Sequence, residues 1–411
     1  MARISELLVK DNNLNLIKTN KYKDITIYIK CAFKYTKKLK ACLSVLSLMM
    51  QEQCEKYPTK NEMSNKKDML YGIAFDCLCQ SIGDLSTISL NYNFTNPKYF
   101  DEVNENDYID FIDETLRRPL FNEKLLEESK RIVVDSIKRK LDKPNYFAMN
   151  GFYNEVSKDD IRFDVYVNLE PNDIYQLSLD DIVDTYNKLF KSRVDIYVIG
   201  DYTNNLINYL KRYSSNEDLY CLVEPLKLPL RNEIKITKEV GQSTLIVSYK
   251  TPYVRTSKDY YAFNLGNILF GGIPTSLLFS EVREKDNLCY LIYSRGLRYE
   301  GLVYVETLID YNNKTKALEE IRNQFNKVIK KEYDPNLLEI AKKMLISNSL
   351  TIDDDMDYLV SYHYEGNLSN SYISINDYIK EVEKITVDDV ARVFSNYEEY
   401  LVYYLEGTKD E

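Results

Sequence analysis

The spacing of apolar residues divides the chain into segments with the period of a strand and segments with the period of a helix. Ile25 to Phe33 alternates along its length, which is typical of a strand with one buried face. The segment 38–56 predicts a helix, and 72–79 and 87–94 predict two further strands. A long helix rich in Glu, Lys and Leu is predicted over 122–143. Strands and helices mixed in this order predict an α+β fold.

The second half of the chain repeats a pattern of the first half. Ser178 begins an amphipathic helix that leads into the strand 194–200, and Thr386 begins a similar helix that leads into the strand 401–407. Both helices start with Ser or Thr followed three positions later by Asp, which is the pattern of a capping box. Because the two starts lie about half the chain length apart, we predict an internal duplication. The alternative is two unrelated helix-to-strand units that share a type of cap.

The length of the chain also favours two domains, because 411 residues exceed the ~250–300 at which a single core stops growing. The boundary is predicted after a helix over 204–213, where Pro225, Pro229 and scattered charges interrupt any regular pattern. The predicted parts are a first domain over 1–214, a linker over 215–233 and a second domain over 234–411.

The charge balance argues against a nucleic-acid partner. Lys and Arg number 54 and Asp and Glu number 64, so the net charge is −10, which opposes contacts to phosphate. Residues 1–18 lack the continuous apolar region of a secretory signal, and no run reaches the ~20 apolar residues of a membrane span. We therefore expect a soluble, cytoplasmic protein that does not bind a membrane.

Histidine and cysteine usage restricts the metal chemistry of the chain. His363 is the single histidine, so a zinc site with two histidines cannot form within one chain. We assign His363 no catalytic role. The seven cysteines contain no C-x-x-C pair and are expected to be reduced and mostly buried. Zinc held by Cys77, Cys79 and acidic residues is a weak alternative, because the C-x-C spacing has no matching second pair.

The segment 271–290, which reads GGIPTSLLFSEVREKDNLCY, resembles a signature of the insulinase/pitrilysin metallopeptidase family. That signature ends in an Arg/Tyr pair seven residues apart, which corresponds here to Arg283 and Tyr290. Tyr57-Pro58-Thr59, the segment 69–72 and the duplication also match the family's layout, so the resemblance covers nearly the whole chain. The alternative for each residue alone is an exposed helix arginine and one of 37 tyrosines.

The resemblance implies a fold and a set of site residues. The fold has two homologous domains, each a mainly antiparallel sheet with helices packed on one face. In family enzymes the arginine and tyrosine of the second domain face the zinc of the first, where they hold the substrate backbone and the developing oxyanion. Both side chains are hydrogen-bond donors suited to that charge. The implied substrate-binding residues are Gly271, Gly272, Ser276, Arg283 and Tyr290.

The sequence departs from active family members at the zinc motif. Those members carry H-x-x-E-H on the first helix, and counting back from Tyr57 without gaps places Ser44 and Leu48 at the two histidine positions. Ser47 stands at the position of the glutamate that activates water, and Ser136 at the third ligand. We therefore expect neither metal nor general base in this chain. The apolar segment 41–50 is predicted to be a core helix instead.

A chain that keeps the Arg/Tyr signature and lacks the zinc motif resembles one half of the family's two-subunit peptidases. The resemblance implies that it is inactive alone and pairs with an H-x-x-E-H homologue that carries zinc. Arg283 and Tyr290 would then act in trans on peptide substrates, with the net charge favouring basic ones. The alternatives are a structural subunit of the same fold and a free-standing peptide-binding protein. The sequence leaves open whether the isolated chain forms a homodimer.

Overall fold

The computed structural model describes residues 7–11, 13–215 and 217–408, which form two compact units. Unit 1 extends to Lys138 and also takes in Asn168–Cys221 and Asp353–Glu365. Unit 2 takes in Arg139–Val167 and Leu222–Ile352, and the chain from Gly366 onward. Each unit is built around a sheet of its own.

Sheet 1, in unit 1, has the strand order β1-β2-β6-β3-β5-β4. Its strands are β1 (Leu8–Asp11), β2 (Leu14–Lys18), β3 (Asp24–Lys34), β4 (Ala74–Ile82), β5 (Leu85–Thr95) and β6 (Arg193–Gly200). All neighbouring strands are antiparallel except β2 and β6. Strand β4 therefore forms one free edge of the sheet.

Sheet 2, in unit 2, has the strand order β7-β11-β8-β10-β9. Its strands are β7 (Ile234–Lys238), β8 (Ser243–Lys250), β9 (Leu291–Leu297), β10 (Leu302–Ile309) and β11 (Glu398–Gly407). Only β7 and β11 are parallel. If the strands are counted along the chain from β7, their order in sheet 2 is first, fifth, second, fourth, third. Strands β2 to β6 of sheet 1, counted from β2, have the same order, β2-β6-β3-β5-β4.

Helices cover the sheets in both units. They are α1 (Lys37–Glu52), α2 (Lys60–Met69), α3 (Glu105–Arg117), α4 (Glu123–Leu141), α5 (Pro144–Asp159), α6 (Pro171–Tyr175), α7 (Leu179–Lys188), α8 (Asn204–Lys211), α9 (Tyr260–Asn267), α10 (Lys314–Lys330), α11 (Asn336–Leu350), α12 (Met356–Leu368), α13 (Ile375–Lys384) and α14 (Val387–Phe394). Two π-helical segments lie at Ile268–Gly272 and Leu278–Lys285. None of the helices among the described residues is long and apolar enough to cross a membrane.

The repeated helix starts have the same geometry in both halves. At α7 the Asp181 amide donates to Ser178 Oγ at 3.2 Å, and the Ser178 amide donates back to the Asp181 carboxylate at 3.0 Å. At α14 the corresponding distances between Thr386 and Asp389 are also 3.2 and 3.0 Å. With the common strand order, this confirms the predicted α+β class and the two homologous domains.

Helix α5 packs on the second face of sheet 2, whereas the prediction placed helices on one face only. Phe152 and Val156 of α5 pack with buried residues of β8 and β11. Gly151 permits the contact, because a Cβ there would lie 1.9 Å from the Tyr403 hydroxyl oxygen. This packing places 139–167 with the second sheet, so the compact units interleave along the chain. The predicted bounds of 1–214, 215–233 and 234–411 stay a prediction.

Two carboxylates on this side of unit 2 are buried. Glu306 lies in β10 of sheet 2, and Glu300 lies in the turn between β9 and β10. Glu300 is 5% exposed, and its Oε1 accepts a hydrogen bond from the Tyr166 hydroxyl at 2.6 Å. Its Oε2 has no hydrogen-bond partner among the described residues. Burial raises the pKa of Glu300 to about 7. Burial likewise raises the pKa of Glu306, whose carboxylate accepts from Tyr293.

The raised pKa of Glu300 predicts that the protein loses stability as the pH rises. The contribution is fully present below the unfolded-state pKa of about 4.5 and is lost as the pH rises through about 7. At high pH the loss is on the order of 3 kcal/mol of unfolding free energy. Urea denaturation at pH 5 and pH 8.5 measures it. Glu300→Gln should remove most of this loss of unfolding free energy. Glu319→Gln, on the exposed side of α10, should leave the loss unchanged. Equal losses in the wild type and Glu300→Gln would contradict the assignment.

Candidate functional site

Arg283 and Tyr290 lie at the β9 edge of sheet 2. Tyr290 immediately precedes β9, and its amide donates to the Leu308 carbonyl at 2.9 Å, which anchors the start of the edge strand. The Tyr290 side chain is 50% exposed, and its hydroxyl donates to Asp310 Oδ1 at 3.2 Å. The phenol is thus held in place by its backbone and one carboxylate, with half of its surface open to solvent.

Arg283 lies in the π-helical segment Leu278–Lys285 and is half-buried. Its guanidinium stacks 4.6 Å from the centroid of the Phe279 ring. It forms no ion pair with any carboxylate in the described part of the chain. Burial raises the pKa of the Cys289 thiol, and a hydrogen bond with Thr307 and the positive charge of Arg283 oppose the rise. The guanidinium therefore keeps hydrogen-bond donors available to a ligand.

The π-helical geometry shapes how the signature segment ends. The Asp286 amide donates to the Glu281 carbonyl five residues earlier at 3.0 Å, and the Leu288 amide donates to the Val282 carbonyl at 3.0 Å. Such wider turns are rare and occur frequently at functional sites. Neither this geometry nor the contacts with Phe279 and Asp310 could be predicted from the sequence, because no local pattern specifies them.

The remaining residues of the predicted substrate set have different environments. Gly272 is exposed, whereas Gly271 and Ser276 are buried. A Cβ at Gly271 would lie 2.7 Å from both the backbone nitrogen and the Oγ of Ser294, so glycine is needed for the close approach to β9. Gly271 and Ser276 thus have a packing role in the structure. Their substrate-binding role stays a prediction.

The positions of the zinc motif lie on α1, which packs against sheet 1. Ser44 and Leu48 are half-buried in a helix whose other central residues are buried, so they mark its partly open side. Ser44 Oγ donates to the Lys40 carbonyl at 2.8 Å, and Ser47 Oγ donates to the Ser44 carbonyl at 3.0 Å. These hydroxyls bond the helix backbone, and Leu48 has no ligating atom. The donor set does not fit zinc.

The rest of the chain does not replace the missing ligands. Ser136 lies half-buried on α4. Among the described residues, no group of three or more His, Cys, Asp or Glu side chains is placed to hold a metal ion. Cys77 and Cys79 therefore belong to no such group in the described part of the chain. That the chain binds no zinc stays a prediction, supported by the chemistry of these side chains.

The sequence model of the peptidase M16 inactive domain family matches residues 176–345, a range that includes both Arg283 and Tyr290. Over this range the chain is similar to the peptidase M16 family. A relative from Bacillus subtilis (strain 168), described as the probable inactive metalloprotease YmfF, is 23% identical over 424 residues, covering 100% of this chain and 99% of the relative. These similarities fit a peptidase-like protein that is catalytically incomplete, and the side chains at the zinc-motif positions agree with that description.

Solved structures have the same fold over nearly the whole chain. A conserved protein from Enterococcus faecalis V583 has a TM-score of 0.87 and 21% identity, covering 97% of both chains. The periplasmic protease PqqL from Escherichia coli has a TM-score of 0.71 and 13% identity. That match covers 96% of this chain and 44% of the PqqL chain. This chain therefore has the fold of less than half of that longer protease.

Proposed function

We propose that this chain is the subunit without zinc of a two-chain peptidase. The observation that carries the proposal is the state of Arg283, which is half-buried, free of ion pairs with described carboxylates and close in sequence to the half-exposed Tyr290. At the same time the zinc positions hold Ser44 and Leu48. A chain built this way retains groups that act on a substrate and lacks those that generate the nucleophile.

The chemistry of peptide hydrolysis explains how such a division would operate. Negative charge develops on the carbonyl oxygen of the scissile bond, and donors already oriented towards that oxygen stabilise it. Arg283 and Tyr290 supply such donors from this chain. The partner would supply the metal, whose chemistry is to lower the pKa of a bound water so that it can act as a nucleophile. A substrate oxygen would replace Asp310 as the acceptor of the Tyr290 hydroxyl.

The size of the chain supports a partner of related fold. PqqL is a protease whose single chain is more than twice as long as the region that matches here. We propose that an H-x-x-E-H homologue takes the place of the part of PqqL that this chain does not match. The pair would cleave peptides or unfolded segments. The net charge of −10 favours basic substrates. The cytoplasmic location predicted from the sequence is part of this proposal.

The experiment mixes the purified chain with an H-x-x-E-H homologue from the same source and follows cleavage of a quenched fluorescent peptide. The chain alone is expected to be inert, and the mixture is expected to cleave faster than the homologue alone. Sedimentation of the same samples reports whether a hetero-complex forms. A complex without faster cleavage, or cleavage by the chain alone, would contradict the proposal.

A structural subunit is the second candidate, and the packing of the signature favours it. Gly271 and Ser276 are buried, Arg283 stacks on Phe279, and Tyr290 bonds to Asp310. These contacts would also be retained by a protein that only assembles with its partner. The two candidates differ in the effect of replacing Arg283, because a structural subunit would keep the partner's activity unchanged.

A further inference from the structure

A polar cavity of about 600 Å³ lies within unit 1, on the face of sheet 1 opposite α1. Thr26, Tyr28 and Lys30 of β3 line it, and they alternate with core residues that face the helix layer. The segment 354–357, which leads into α12, also lines the cavity. The volume falls within the ~300–1,000 Å³ range of small-molecule sites. The sheet separates this cavity from the zinc-motif positions on α1.

Lys30 carries a buried ammonium group that has no ionic partner in the described part of the chain. It is 6% exposed and forms no ion pair or hydrogen bond to side chains of the described residues. Its Nζ lies 5.1 Å from the centroid of the Tyr364 ring and 5.8 Å from that of Tyr28. Burial lowers the pKa of Lys30 to about 8, although nearby carboxylates oppose the shift. An anionic group that entered the cavity would offset this desolvation.

Carboxylates line the outer part of the same cavity. Asp76 of β4 is exposed and forms no ion pair among the described residues. Asp355 is exposed as well, and among the described residues its carboxylate accepts a hydrogen bond from the Tyr358 amide alone, at 3.0 Å. The two other carboxylates at this end are engaged, because Asp354 pairs with Lys21 and Asp357 accepts from the Tyr28 hydroxyl at 2.8 Å. Two carboxylates thus remain available to a cation.

We propose that this cavity binds a small zwitterion, an amino acid or short peptide, with its carboxylate on Lys30 and its ammonium group on Asp76 or Asp355. One buried cation and exposed carboxylates in the same cavity match a ligand that carries one charge of each sign. A simple anion would meet the repulsion of the surrounding carboxylates, and a simple cation would meet that of Lys30. The site requires neither zinc nor a partner subunit, so it is independent of the proposed peptidase function.

Isothermal titration calorimetry of the full chain tests the site with trialanine, its C-terminal amide and its N-acetyl derivative. Unmodified trialanine is expected to bind, and blocking either end should weaken binding about tenfold or more. Free alanine in the same titration distinguishes amino acids from peptides as the source of the ligand. Equal binding of the blocked forms, or no binding of trialanine or alanine at millimolar concentration, would overturn the proposal.

Variants of the chain locate the binding. Lys30→Met keeps a long apolar side chain in the buried position and should lower the affinity about tenfold or more. Lys34→Met on β3 is the matched control, because Lys34 is exposed and pairs with Asp84 outside the cavity. The exposed double variant Asp76→Asn, Asp355→Asn tests the other end of the ligand should Lys30→Met fail to fold. Wild-type affinity in either cavity variant would contradict the assignment.

Discussion

Arg283→Ala is expected to lower the kcat of peptide cleavage by the mixed peptidase by about 10²–10³. The loss should fall mainly on kcat, because the guanidinium is proposed to bond an oxygen that becomes charged only in the transition state. Tyr290→Phe, which removes only the hydroxyl, should lower kcat in the same direction. The measurement compares kcat and KM of the reconstituted complex for each variant.

The control for this prediction is Lys285→Ala. Lys285 is an exposed cation two residues from Arg283, and it pairs with Glu281 at 2.8 Å within the same π-helical segment. Removing it changes the local charge by the same amount without touching the proposed oxyanion donors, so kcat should stay within about twofold. Unchanged kcat in both Arg283→Ala and Tyr290→Phe would favour the structural subunit.

Gly151→Ala is expected to destabilise the protein by about 3 kcal/mol. A Cβ at this position would lie 1.9 Å from the hydroxyl oxygen and 2.7 Å from Cζ of Tyr403, which is 1% exposed. The clash would force α5 away from β11 and disturb the core on that face of sheet 2. Urea unfolding monitored by circular dichroism measures the change.

A second variant connects this effect to the named contact. The Tyr403 hydroxyl is buried with no hydrogen-bond partner among the described residues, so Tyr403→Phe alone should cost little. Combined with Gly151→Ala it should recover part of the lost stability, which a double-mutant cycle quantifies. Gly272→Ala is the control, since a Cβ there comes no closer than 3.4 Å to its neighbours. Additive effects of the two changes would show that the contact is not responsible.

The elements whose signals are local could be predicted from the sequence. The predicted helix over 122–143 is α4, Glu123–Leu141, and it ends just before Pro144, which occupies the first turn of α5. The predicted strands around 72–79 and 87–94 are β4 and β5. The predicted helix over 38–56 is α1, which ends earlier, at Glu52, because Gln53 already has extended backbone angles. Periodicity and capping residues specify these elements without tertiary information.

Features that depend on distant segments could not be predicted in this way. The position of α5 over sheet 2 results from packing against strands about a hundred residues or more away in sequence. Likewise the cavity at Lys30 is completed by Asp354 and Asp355, more than three hundred residues further along the chain. For the candidate site, the sequence indicated Arg283 and Tyr290 but not the π-helical turn that positions Arg283. Only the folded chain brings these groups together.

The zinc content of the purified chain, of its H-x-x-E-H homologue and of their mixture tests the central claim most directly. After zinc loading and dialysis, the chain alone should hold none, because Ser44 and Leu48 stand at the positions of the histidine ligands. The mixture should hold about one ion per pair of chains, all of it contributed by the homologue. Zinc bound stoichiometrically by the chain alone would contradict the account of a catalytically incomplete peptidase subunit.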